Sequence, residues 1–492
     1  MDLDRHILAV VEPAIMPTDI ELESLGEEDD AYRQSKSFAI ASPYVTINGY
    51  SFARKDVDSF TLNLSGQVPE LKISIIDSRN NFSIDSFPRD GDVITFLLNS
   101  KNESTFKSIH MDFDITSVNS IEDDSNHTEY TFTGKAKIPL LDTEECRHFE
   151  VGTSLEHLEE EAKYLGLGLA TNIDAAGDPQ IRIQAYSTHA KFINEIVTTS
   201  YVSEESFQTS FIDQYYYLNF VDINRVFNSK NMSLNDMEDT LISGTFPLSD
   251  DSDRPVENDN IKAKVLLTNH FELKQNNNFI ASWTLENNSS AVVAAHGHFR
   301  DVQIYDNNGT DTKLQEFRLD PLTSNSMLDS EEPLRGRRDE DRYLNQLKHK
   351  YSGRQDVGED GLGNVHQNHV YCKLHNMRNI VESSKMVLKV TLQSFNPSIY
   401  KYQKVPVIIY HYNEVKVKSE LDKNEKASDM GFEDQPFEFN NDEGGETPKM
   451  TLDTFMSGNY VISNINYRYD EDGLMQDVTL LRREWPVSMG NL

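Results

Sequence analysis

A mainly β protein carrying a small α/β insertion is the fold that the sequence predicts, and three observations predict it. Stretches that alternate apolar and polar residues recur from Ser37 onward, with Gly, Asn and Asp at the breaks, which is the pattern of antiparallel strands. Tyr 21 and Phe 25 stand against Trp 2 in a chain that is 10% aromatic and 26% charged, a composition of folded proteins that favours strands over helical bundles. Helical periodicity is concentrated between Thr153 and Glu204. At 492 residues the chain exceeds what one hydrophobic core supports, so three or four units of roughly 100 to 150 residues are expected.

Taken in order, residues 1–36 mix a short apolar piece, Ile7 to Val11, with the acidic run Glu21 to Asp30, and read as an extended N-terminal arm able to dock on a neighbour. Residues 37–150 predict a small antiparallel barrel or sandwich, with strands near Tyr44, Phe60, Leu71, Asp92, Met111 and Tyr130. In 151–204 the period changes. Thr153 to Glu156 has the form of a capping box, with Leu155, Leu158, Ala162 and Leu165 at helical spacing and a stop near Gly166. A strand at Gln180 to Gln184 and a second helix from Ala190 to Val197 complete an inserted α/β domain. The aromatic and β-branched stretch Phe207 to Asp222 then suits a return to the first β unit, which 205–246 would complete.

Residues 247–260, rich in Ser, Asp and Pro, read as a linker. A second β unit occupies 261–317, with strands near Lys264, Phe279 and Phe299, and is completed by 381–492, with strands at Met386 to Leu392 and Val405 to Tyr410. Between these lie a polar insertion, 318–380, containing a short basic helix candidate at Asp341 to Lys350, and an acidic loop at 421–448. The end of the chain reads as the closing hairpin of a barrel. Val461, Ser463, Ile465, Tyr467 and Tyr469 share one face of an alternating strand, and Asp472-Gly473 supplies the positive φ that a tight antiparallel turn requires.

A formal net charge of −35 argues against a protein built to grip nucleic acid, which needs clustered Lys and Arg on phosphates. Two readings of that charge stay open: an acidic surface as such, or a channel wall along which DNA slides without adhering. Cys146 and Cys372 stand far apart, so neither a disulfide framework nor a cysteine-rich zinc module is expected, and assembly in a reducing cytoplasm fits. Met1 to His6 lacks the basic, then apolar, pattern of an export signal, and no run approaches the roughly 18 apolar residues of a membrane span.

Candidate chemistry is sparse. His296-x-His298 would place two imidazoles on one strand face, and His366, His369 and His375 lie in the polar insertion, but no Cys or carboxylate stands at recognisable ligand spacing. A carboxylate pair for glycoside chemistry needs a fixed separation in a cleft, which spacing in sequence does not supply. His-Glu-x-x-His, Gly-x-Ser-x-Gly and the Walker lysine loop are absent, and Gly166-Leu-Gly168 lacks the third glycine of a dinucleotide fingerprint. Asp251, Asp253 and Asp470 to Asp472 lack the spacing of a calcium loop and read as linker and turn. No catalytic residue, cofactor or metal ligand is assigned. The basic cluster Arg335, Arg337, Arg338, Arg342, Lys348, Lys350 and Arg354 stands out in an acidic chain, either as a solvated face balanced by nearby Glu and Asp or as a docking patch for an acidic partner surface.

Several segments together resemble the baseplate hub proteins of contractile-tailed bacteriophages, related in architecture to the head of type VI secretion spike proteins. They are the closing Arg482-Arg-Glu-Trp485-Pro; Leu266 to His270; Glu286 to Ser290 through Ala295 to Asp306; Lys350 to Asp356 through Gly363 to His366; and Asn396 to Pro406. Phe87 to Phe96 and Thr153 to Asp222 carry weaker matches. The 318–380 and 421–448 segments are longer than a minimal hub needs.

The resemblance implies two tail-tube-like antiparallel β-barrel domains per chain plus inserted smaller domains. It further implies a homotrimer that adapts a sixfold tail tube to a threefold central spike and encloses the DNA channel. Implied partners are the tail tube protein and the central spike protein, with tape measure and baseplate wedge proteins as further contacts; DNA passes without specific binding and no membrane is involved. The place implied is the virion's tail baseplate, assembled in the host cytoplasm. Interface residues expected on this basis are Arg483 and Trp485 at the closing strand and Arg337, Arg338 and Lys348 on a peripheral contact. A rival of another class is a glycan-binding or glycan-hydrolysing tail protein, also acidic and aromatic-rich; a metal-dependent enzyme using His296, His298 and His366 is a third.

Overall fold

The structure is a computed structural model and describes residues 7–20, 43–52, 56–77, 82, 87–89, 91–98, 108–122, 128–203, 206–229, 265–268, 279–287, 300–307, 312–318, 343–345, 386–392, 399–412, 450–453, 455–470 and 473–482. Strand β1 (Leu8–Val11) lies in the arm. It is followed by β2 (Tyr44–Ile47), β3 (Tyr50–Phe52), β4 (Val57–Asn63), β5 (Glu70–Asp77), β6 (Val93–Leu98), β7 (Ile109–Glu122) and β8 (Thr128–Ala136). Alternation does the work expected of it: in β8, Tyr130, Phe132, Gly134 and Ala136 point inward and the residues between them do not.

The inserted region gives β9 (Glu144–Gly152), helix α1 (Ser154–Leu165), β10 (Gly168–Thr171), β11 (Gln180–Thr188), helix α2 (His189–Thr198), β12 (Gln208–Ile212), β13 (Tyr217–Asp222) and helix α3 (Ile223–Phe227). The capping box forms as its residues predict. The Thr153 N–H donates to Glu156 Oε2 at 2.7 Å, and Thr153 Oγ1 accepts from the Glu156 N–H at 3.3 Å. Helix α1 ends on Gly166 in the left-handed region, φ 73°, where a side chain would be strained. Helix α2 buries Phe192, Ile193, Ile196 and Val197, the spacing that marked it in sequence.

The second half supplies β14 (Leu266–Thr268), β15 (Phe279–Asn287), β16 (Arg300–Asn307), β17 (Thr312–Arg318), β18 (Tyr343–Asn345), β19 (Met386–Leu392), β20 (Lys404–Ile408), β21 (Tyr410–Tyr412), β22 (Met450–Leu452), β23 (Gly458–Asp470) and β24 (Gly473–Arg482). One expectation is corrected here. Tyr343–Asn345, inside the basic helix candidate, is a strand paired parallel to β16; a short polar segment gains too little from helix nucleation to compete with a free sheet edge. The linker 247–260 and the acidic loop 421–448 lie outside the described residues, as does most of 318–380.

Thirteen strands form one sheet, in the order β20-β14-β15-β19-β24-β23-β4-β5-β8-β7-β6-β2-β3. In the first half of this sheet every pairing among the described residues is antiparallel. This part curls: three strands separate β4 from β6, about 19 Å in a flat sheet, yet the rings of Phe60 and Phe96 meet edge to face at 5.1 Å. Phe82 closes the same interior, 4.9 Å from Phe52 and 5.9 Å from Phe132. In the second half β20 also pairs with β23, so the pairings β20-β14-β15-β19-β24-β23-β20 return to their start in a circuit of six strands. Here β14 runs parallel to both neighbours, unlike the antiparallel arrangement expected, because long connections rather than tight turns join it to them.

A second correction concerns Phe207 to Asp222. Instead of returning to the first β unit, β12 and β13 join β1 and β10 in a separate four-stranded sheet, order β1-β10-β13-β12. Aromatic and β-branched content marks a strand without choosing its partner. The described part of the arm, residues 7–20, docks on its own chain: β1 pairs with β10, and Thr18 donates from N and Oγ1 to Asp112 Oδ2 at 3.0 and 2.8 Å. Among the described residues no helix is long and apolar enough to cross a membrane.

Candidate assembly junction

The two halves meet on a single strand. On one edge β23 pairs with β24 from Val461↔Leu481 to Asp470↔Gly473, closing the predicted hairpin with Gly473 at φ 104°. Its other edge is divided. Residues Gly458 to Val461 pair with β20, and Asn466 to Tyr469 pair with β4 of the first half. Between the two partners the ladder is carried by Tyr402 N–H to Ile462 O at 2.6 Å, Ile462 N–H to Gln403 O at 2.9 Å and Leu64 N–H to Ile465 O at 3.2 Å.

A β-bulge between Ile462 and Asn464 sits at this changeover. It shifts the alternation by one residue, so the single inward face read from the sequence is split. Before the bulge, Tyr460 and Ile462 enter the large core, while Val461 turns to the opposite side and packs with Phe211, Val221 and Val226 of the α/β unit. After it, Ile465 and Tyr467 point into the large core. The strand is therefore buried on both faces over its first half and ties three units together.

Two lysines of the Asn396 to Pro406 segment fasten this seam. Lys401, 8% exposed, reaches the turn between β4 and β5 and donates to the carbonyls of Leu64, Ser65 and Gly66 at 3.2, 3.3 and 3.4 Å. The same ammonium lies 4.6 Å from the centroid of Phe211 in β12. Burial pushes its pKa down to about 8. Lys404 donates to Phe227 O at 2.6 Å and Ser229 O at 2.8 Å, the carbonyls at the C-terminal end of α3, where a cation is electrostatically favoured.

Arg482, the first residue of the closing Arg-Arg-Glu-Trp-Pro, is buried; it donates to Phe455 O at 3.2 Å, and its guanidinium lies 5.8 Å from the Tyr460 ring centroid. Tyr460 in turn donates to Met456 O at 2.6 Å. Close by, His411 Nε2 and Asp453 Oδ2 are 2.8 Å apart, and Asp453 Oδ1 accepts from the N–H groups of Phe455 and Met456, both at 2.9 Å.

These groups fasten strands. Among the described residues no group of three or more His, Cys, Asp and Glu is placed to hold a metal ion. The histidines weighed for one, His296, His298, His366, His369 and His375, lie outside the described residues, as do the interface candidates Arg337, Arg338, Lys348, Arg483 and Trp485. Lys401 and Lys404 were not singled out by composition or spacing; the only sequence signal for them is their place in one of the resembling segments.

No protein-family model and no curated protein matches the sequence. Solved structures do match. The tail protein from Neisseria meningitidis MC58 aligns with TM-score 0.47 at 9% identity, over 90% of this chain and 97% of that one. The 43 kDa tail protein of prophage MuSo2 from Shewanella oneidensis aligns with TM-score 0.45 at 12% identity, over 90% of this chain and 98% of that one. The E. coli c3393 protein, a component of the type VI secretion system with structural similarity to T4 bacteriophage tail proteins gp27 and gp5, aligns with TM-score 0.40 at 9% identity, over 90% of this chain and 77% of that one. In structure the chain is thus similar to phage tail proteins and to a type VI secretion component, at identities of 12% or less.

Proposed function

We propose that the chain is a structural virion protein, the central hub of a contractile-tail baseplate. It forms a homotrimeric ring that adapts the sixfold tail tube to the threefold central spike and encloses the DNA channel. The observation that carries this reading is the fusion of two β units in one chain through β23: a threefold ring of such chains presents six units to a sixfold partner. The curled first sheet and the six-strand circuit of the second fit two tail-tube-like barrels. A formal charge of −35 per chain fits a channel wall on which DNA does not adhere. In this reading the partners are the tail tube and central spike proteins, with tape measure and wedge proteins outside them. Arg483, Trp485, Arg337, Arg338 and Lys348 serve as contacts, and the chain has no catalytic role.

Solution mass and negative-stain electron microscopy of the purified chain test the proposal. A particle of three chains with a six-lobed ring is the expected result, formed alone or on addition of the spike protein. A chain that stays monomeric with its spike partner, or that turns over cell-wall glycan, overturns it.

A further inference from the structure

The N-terminal arm is held largely by backbone contacts and buries none of its own residues. Within 7–20 every residue is exposed or half-buried, and apolar Leu8 and Val10 are 59% and 54% exposed. The groove that receives the arm is the opposite: the four residues of β10, Gly168 to Thr171, are all buried. Strand β1 pairs with β10 through Leu8↔Thr171, Ala9↔Ala170 and Val11↔Leu169. Gly168 lacks a Cβ where one would stand 2.8 Å from Val11 O. The Gly166 carbonyl, at the left-handed end of α1, accepts from the N–H groups of Ala14 and Ile15 at 2.9 and 3.1 Å, and Tyr217 donates to Glu12. Further along, Thr18 donates to Asp112, and its carbonyl lies 3.0 Å from His110 Nε2, both partners being on β7.

The length of chain that joins the arm to the body is out of proportion to the distance it covers. Asp112 lies opposite Thr95, and Thr95 opposite Thr46, so the last anchor of the arm is two strand spacings, about 10 Å, from β2. Between residue 20, where the described arm ends, and residue 43, where the described chain resumes, stand 22 residues, which reach up to about 75 Å when extended. A handful would serve if each arm had only its own groove to reach. We infer that in the assembled particle the arm, residues 7–20, leaves its own chain and docks in the same groove of a second copy. The inference rests on the homo-oligomer of the proposed function and adds to it a fastening between copies. The incoming arm has the identical sequence, so every contact named above is remade between chains with no new surface to build, and exchange of such an element is a low-cost route to association. With no residue anchored in a core, the arm opens at a lower free energy than the core strands do, and an isolated chain closes on its own groove. In the ring, exchange ties each chain to its neighbour, so that copies part only when β1 is stripped from β10.

The register supplies the test. Ala9→Cys and Ala170→Cys, at positions opposite each other across β1 and β10, are placed on separate full-length chains that also carry Cys146→Ser and Cys372→Ser. The two chains are co-expressed, assembled with the spike protein where they do not associate alone, and oxidised. The expected result is a disulfide-linked species of two chains on a non-reducing gel, lost on reduction. Where a cysteine variant does not fold, Ile15→photo-leucine, at a position packed against Gly166, takes its place in a mixture of light and heavy-isotope chains, and crosslinked peptides that pair light with heavy are expected. An oligomer with no bond between chains, or crosslinks within one isotope only, overturns the inference and leaves the hub reading standing; a chain that forms no oligomer even with its spike partner overturns both.

Discussion

Lys401→Met removes the charge from the junction while keeping a flexible side chain of similar length. Its effect is worked from two opposing quantities. The fall from the ordinary 10.5 to about 8, at about 1.4 kcal/mol per pH unit, means that holding the ammonium in the folded chain costs about 3 kcal/mol at neutral pH. That cost is net of the ammonium's own contacts, among them hydrogen bonds to Leu64, Ser65 and Gly66 at 3.2, 3.3 and 3.4 Å. Met relieves the cost but leaves those three carbonyls without their donor, which costs about 2 kcal/mol. The gain and the loss are of similar size, so Lys401→Met should change stability by less than about 1.5 kcal/mol at pH 7. The pH dependence should change far more. Between pH 8 and 10.5 the unfolded chain still binds the lysine proton and the folded chain does not, so wild-type stability rises with pH across that window while the Met variant lacks the rise. Buried Tyr216 and Tyr467 and partly buried Tyr215 and Tyr402, all raised by desolvation first, pull stability down above about pH 10 in both proteins and drop out of the difference. Urea unfolding at a series of pH values from 7 to 10 measures it. Equal pH slopes for the two proteins, or a loss above about 4 kcal/mol at pH 7, would refute the account of Lys401 as a buried cation held only by carbonyls and an aromatic face.

Substitutions at three further positions probe the other levels of the structure. Gly168→Ala places a Cβ 2.5 Å from Tyr217 Cδ1 and 2.8 Å from Val11 O, so it should cost about 1–3 kcal/mol; an unchanged melting temperature would show that β1, β10 and β13 do not pack as described. Thr153→Ala removes the capping box of α1 and should cost about 1 kcal/mol in thermal unfolding, while Thr153→Ser should retain most of it. Under the hub proposal, Trp485→Ala should cost roughly 3 to 5 kcal/mol and impair ring assembly. Wild-type melting together with a wild-type particle in electron microscopy would remove Trp485 from the proposed contacts.

Local structure was legible in the sequence because it is set over a few residues. Alternation located the strands near Tyr44, Phe60, Leu71 and Tyr130. The reciprocal Thr153 and Glu156 pair located the start of α1, and Asp472-Gly473 located the turn of the last hairpin. Such patterns state which residues face inward; they do not state which strand lies alongside. Phe207 to Asp222 therefore read correctly as strands and wrongly as a return to the first β unit. Likewise the parity of β23 was read as one face, since nothing in Val461 to Tyr469 announces a bulge whose position depends on where β20 gives way to β4. Lys401 and Lys404 look like surface lysines until the turn at Leu64 to Gly66 and the end of α3 arrive from distant parts of the chain. The apolar stripe of α1 was visible as Leu155, Leu158, Ala162 and Leu165, yet its polar side, Ser154, His157 and Glu161, is buried too, because the β9–β11 ribbon and α2 cover it. Element type follows from spacing along the chain where the period is sustained, which it is not around Tyr343 to Asn345; partner, burial of charge and the joining of the two halves follow from contacts between residues far apart in sequence, which only the folded structure brings together.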